Sequence, residues 1–155
     1  MSPAEYAKTL VMRELSRRDF WQFCLYYERE FFEGRPFLKD VAMAFQRIEE
    51  GTITSLSVSM PPRAGKSYLT SLFCAWTLGR NPAESVMRNT CTATLYVKFS
   101  YDVRAIVNSD KFKEVTHPRL RWSAILVLES LGPSLDSEPQ RWPSLMTFTE
   151  ALRMH

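Results

Sequence analysis

Residues 53 to 79 join three unlike segments without a gap: ITSLSVSM, then PPRAGKS, then YLTSLFCAWTLG. The first is short, apolar and β-branched and runs straight into Pro61-Pro62, the pattern of a strand that ends at a turn. The last places Leu69, Leu72, Phe73, Trp76 and Leu78 on a helical period, with Gly79 and Asn81-Pro82 to stop it. A strand that feeds a helix through a Gly-Lys-Ser turn leaves few architectures open. A second short strand over Ser85 to Thr90 is followed by a helical face of Leu95, Phe99, Val103, Ile106 and Val107. Strand, helix, strand, helix is the grammar of an α/β fold with a parallel sheet.

The turn itself carries the chemistry. A phosphate-binding loop reads G-x-x-x-x-G-K-[ST] between a strand and a helix, and Gly65-Lys66-Ser67 supply its second half, with Met60 at the first glycine position. The loop residues Pro62, Arg63, Ala64, Gly65, Lys66 and Ser67 are the expected nucleotide-binding residues, with main-chain amides from Arg63 onward pointing at phosphate from the helix N-terminus. Lys66 would meet the β- and γ-phosphates of ATP, and the Ser67 hydroxyl would take Mg2+. Arg63 is the candidate for charge on the γ-phosphate, so Lys66 and Arg63 are the expected catalytic cations. Pro61 and Pro62 donate no amide hydrogen but stiffen the approach, in place of a glycine turn. The plainer reading is that Arg63 and Lys66 solvate the start of a helix.

Upstream, Ser2 and Glu5 form a capping-box pattern with Pro3 at the first helical position. A second helix is expected from Ser16 to Phe32, with Phe20, Phe23, Leu25, Tyr27 and Phe31 as an aromatic face. A third carries Leu38, Val41, Ala42, Phe45 and Ile48 and ends at Gly51. The expected organisation is a helical segment over 1–51, a partial ATPase core over 52–115 and a poorly specified tail over 116–155. Net charge is +3, which permits a nucleic-acid partner without demanding one. Cys24, Cys74 and Cys91 show no metal or disulfide spacing and read as buried small hydrophobes. The N-terminal stretch has charges scattered through it, and no run is long and apolar enough for a membrane span, so a cytoplasmic location is expected, with no membrane partner.

SMPPRAGKSYLTSLFCAWTLGRNPAESV and its continuation through KFSYDVRAIVNSDKFKEV resemble the large terminase subunits of tailed bacteriophages. The resemblance implies an N-terminal motor ATPase, joined in full-length relatives to a metal-dependent nuclease. It implies ATP and Mg2+ as cofactors and double-stranded phage DNA, the terminase small subunit and the capsid portal as partners. The implied fold is a partial P-loop NTPase three-layer sandwich with parallel strands, a helical lead-in and an irregular tail. Some relatives place the loop arginine one position earlier than Arg63. Family members also use an upstream glutamine near adenine, for which Gln22 and Gln46 are available. Arg17, Arg18, Arg119 and Arg121 could touch DNA phosphates. Another phosphate-loop ATPase would explain the loop equally, but not LGRNP or YDVRAIVNSDKF.

Hydrolysis also needs an acidic strand end, to hold Mg2+ through water and to orient the attacking water. The in-frame candidate is AILVLES, ending in Glu129, without a paired acid. A coding-frame change after about residue 115 fits the tail better. In the frame joining each third base to the next two, Met146-Thr147 must give Asp and Trp142-Pro143 must give Ala. The stretch from Gly132 can then read as a glycine-rich segment, an apolar run and a double-Asp strand end. Two functions follow: a terminase ATPase segment, or a non-catalytic remnant of a disrupted prophage gene that binds nucleotide or is inert.

Overall fold

The computed structural model describes residues 2–81, 85–89, 93–116 and 145–149. Seven helices occur there: α1 (Pro3–Arg18), α2 (Phe20–Tyr27), α3 (Arg29–Glu33), α4 (Leu38–Glu49), α5 (Lys66–Arg80), α6 (Ala93–Asn108) and α7 (Asp110–Val115). Two strands, β1 (Ser85–Asn89) and β2 (Leu145–Thr149), pair in parallel with Ser85 opposite Leu145.

The expected α/β sandwich is overturned: the described residues are mostly helical, and extended pairing is confined to that two-stranded ribbon. Residues 53–60, read as the strand that feeds the loop, form neither helix nor ladder. Alternation is confined to the last four residues, where Val58 and Met60 are half-buried against the core while Ser57 and Ser59 are exposed; Leu56, which would share the inner face, is exposed. What they lack among the described residues is a partner. Composition reports how well a chain suits a pleated surface; only a neighbouring strand takes up its backbone hydrogen bonds.

Local signals set the helix limits. The Ser2 hydroxyl accepts from the Glu5 amide at 3.3 Å and the Glu5 carboxylate accepts from the Ser2 amide at 2.6 Å, which completes the capping box of α1. The aromatic segment expected as one helix is divided between the end of α1 and the short helices α2 and α3. Asp19, with φ −121° and ψ 121°, ends α1 and caps α2 by accepting from the Gln22 amide at 2.7 Å. Glu28 makes the second break. Gly51, at φ 72°, follows α4 in the left-handed conformation that terminates helices.

The core is one aromatic cluster fed from both sides of the loop. Phe20 of α2 meets Phe73 of α5 edge-on at 5.2 Å, and Phe45 of α4 lies 5.0 Å from Phe73. Trp76 packs 5.3 Å from Phe20 and donates its indole N–H to the Ser16 carbonyl at 3.0 Å. Helix α5 is buried without interruption from Leu69 to Gly79, the mark of a central helix rather than a surface one. Cys24 and Cys74 lie within this core as free thiols; burial raises the pKa of both, that of Cys74 to about 11. Among the described residues no helix is long and apolar enough to cross a membrane.

Candidate functional site

The first turn of α5 opens at the end of the Pro-Pro-Arg-Ala-Gly segment. The Ala64 amide reaches back to the Pro61 carbonyl at 3.4 Å, which closes a turn over the four residues. Arg63 has φ 62°, the single positive φ outside glycine among the described residues, and Gly65 follows at φ 100°. Two left-handed residues on either side of Ala64 curl the main chain sharply, the kind of turn that gathers amide hydrogens into a concave anion site. Gly65 is the N-cap of α5, and its carbonyl accepts from the Leu69 amide at 2.9 Å. Helices α1, α2 and α7 are closed by the side chains of Ser2, Asp19 and Ser109; α5 has no side-chain cap.

Pro61, Pro62 and Arg63 are exposed, while Ala64, Gly65, Lys66 and Ser67 are half-buried. The six expected binding residues are consecutive and run from this turn into the helix, with Lys66 and Ser67 as the first two helical residues. A wall from the N-terminal helices backs them. Phe31 and Leu38 press on Gly65, the Tyr68 ring meets Phe31 edge-on at 5.1 Å, and it stacks on Phe32 at 6.0 Å. The Tyr68 hydroxyl donates to the Glu28 carboxylate; burial first, and then Glu28, raise its pKa, so it remains a donor. Arg35 lies 4.1 Å over the Phe31 ring and donates to the Phe31 carbonyl at 3.2 Å.

Sequence reasoning missed Arg88. From β1 its Nη1 donates to the Ser71 hydroxyl at 2.8 Å and its Nη2 to the Ser67 carbonyl at 3.4 Å, and its guanidinium lies 3.7 Å over the Phe99 ring. The available signal was a charged residue in the middle of an otherwise short expected strand. Gln46 is tied elsewhere: it accepts from the Phe20 amide at 2.9 Å and donates to Arg18 and Glu50. Gln22 contributes its main chain to the α1–α2 junction, where its carbonyl accepts from Ser16. Arg17 and Arg18 pair with Glu14, and Arg17 also donates to the Val115 carbonyl. Arg119, Arg121 and Glu129 lie outside the described residues.

The donor set suits a magnesium-bound polyphosphate. A helix N-terminus favours negative charge, Lys66 and Arg63 are cations, and the Ser67 hydroxyl is an oxygen ligand of the sort that Mg2+ takes alongside phosphates and water. No protein-family model matches this chain, and neither does any curated protein or solved structure.

Proposed function

We propose that residues 62–67 bind the phosphates of ATP, with Mg2+ on the Ser67 hydroxyl. On this reading the chain is the ATPase segment of a phage terminase large subunit, built to couple ATP hydrolysis to packaging of double-stranded DNA. One observation carries it: Gly65, left-handed at φ 100°, leads directly into Lys66 and Ser67 at the head of the buried helix α5. Phosphate is held by the loop, the helix N-terminus and the lysine, so binding does not itself require a surrounding sheet. DNA, the small subunit and the portal enter through the likeness of PPRAGKS, LGRNP and YDVRAIVNSDKF alone.

A second reading, binding without turnover, is favoured by the acids. In the sequence Glu129 alone follows an apolar run in the tail, without the second acid that hydrolysis needs. Positioning and charge stabilisation supply nearly all of the catalysis of phosphoryl transfer, so loss of that pair leaves hydrolysis very slow.

The test is calorimetric binding of ATP with Mg2+ to the full chain and to Lys66→Ala. Saturable binding weakened about tenfold or more by the substitution, at unchanged melting temperature, is the expected result. Equal affinities, or no binding by the unaltered chain, would remove the proposal. Steady-state phosphate release that disappears in Lys66→Ala identifies the motor ATPase, and binding without release identifies the remnant.

A further inference from the structure

We propose that Arg88 is a positioning residue for the magnesium-bearing serine, holding the first turn of α5 from behind through Ser71; this rests on the phosphate-loop reading above. Ser71 lies four residues after Ser67 and hence on the same helix face one turn on. Its hydroxyl donates to the Ser67 carbonyl at 3.0 Å and accepts from Arg88 Nη1 at 2.8 Å, while Nη2 reaches the same carbonyl at 3.4 Å. The fork of the guanidinium therefore spans both atoms that fix where the Ser67 peptide unit points. A lysine at this position would supply one point charge and could not span them.

The placement has an electrostatic consequence. A cation beside the N-terminal turns of a helix is opposed by the helix dipole, and here it is held by two acceptors and by the face of Phe99 at 3.7 Å. What Arg88 offers a bound metal is therefore the order it imposes on Ser67. By linkage, an Arg88 that orders Ser67 raises the affinity gained from Mg2+ more than the affinity for nucleotide alone.

The experiment measures the affinity of a non-hydrolysable ATP analogue with and without Mg2+ for the unaltered chain, Arg88→Ala, Arg88→Lys and Ser71→Ala, with melting temperatures alongside. The expected result is a Mg2+ enhancement reduced about fivefold or more in Arg88→Ala and Ser71→Ala, with metal-free affinity within about twofold of the unaltered chain. Arg88→Lys keeps the charge without the fork and recovers only part of the enhancement. Should Arg88→Ala fail to fold, Ser71→Ala carries the test, because alanine suits a helix interior and leaves little space. An intact enhancement in Ser71→Ala and Arg88→Ala, or equal losses with and without metal, overturns the role of Arg88 while leaving the loop standing. If the unaltered chain binds no nucleotide, both proposals fall.

Discussion

The Phe31 ring closes the back of Gly65: a Cβ placed on residue 65 would lie 2.9 Å from the ring Cζ and 3.3 Å from Cδ1 of Leu38. Glycine is thus required twice, by that contact and by φ 100°. Gly65→Ala is expected to cost about 2 kcal/mol, read as a lower urea midpoint. Adding Phe31→Leu should return the steric share and leave the backbone share. The single variant Phe31→Leu measures the loss of that ring's own contacts with Tyr68 and Arg35, and strictly additive losses in the double variant would show that the ring is not the obstacle.

Gln46 holds the junction of α1 and α2 from α4, with its carbonyl oxygen on the Phe20 amide at 2.9 Å. Gln46→Ala leaves that part-buried amide unpaired and should lower stability by about 1–2 kcal/mol. Native-state hydrogen exchange checks it locally, with the Phe20 amide exchanging faster in the variant.

The Glu114 carboxyl is held below the ordinary carboxylate value of 4.5, first by the Tyr26 hydroxyl and then by Arg13, which lies 2.8 Å away. Its folded pKa lies below its unfolded one. The contribution is therefore present above the unfolded value and is lost as pH falls through the folded one. Glu114→Gln should flatten the acid limb of the stability curve below about pH 4.5, leaving shares of the same sign from Glu5 and Glu14. The effect is small, because the Glu114 side chain is 43% exposed and solvent screens the pair. Chemical denaturation across that range gives the comparison.

Thr77 is 3% exposed within α5, and its hydroxyl oxygen is buried without a hydrogen-bond partner among the described residues. Valine has nearly the same shape and no polar atom, so Thr77→Val should raise stability by about 1 kcal/mol, measured as a higher denaturation midpoint. A lower midpoint would show that the oxygen is satisfied in solution.

The parts that could be read from the sequence are those whose cause is local. The Ser2–Glu5 cap, the apolar period of α4 and the stop of α5 at Asn81 each depend on residues a few positions apart. The division of the aromatic segment was hidden because Phe20, Phe23 and Phe31 give the same apolar pattern whether or not the helix is broken. The break depends on Asp19 and on Gln46, which is 26 residues from the amide it accepts. The strand expected over 53–60 failed for the reason given by its neighbours: β-branched residues advertise a surface, and no described strand pairs with it. At the loop, Gly65-Lys66-Ser67 was plain, whereas its backing by Phe31 and the reach of Arg88 to Ser71 arise from tertiary contact.

The aromatic interlock of Phe20, Phe45, Phe73 and Trp76 bridges the two sides of a connection whose residues 54–57 are exposed. A single protease nick there would sever the polymer but not the particle. The two pieces would migrate together until denaturant separated them, and each alone would present to water the rings that the other had covered.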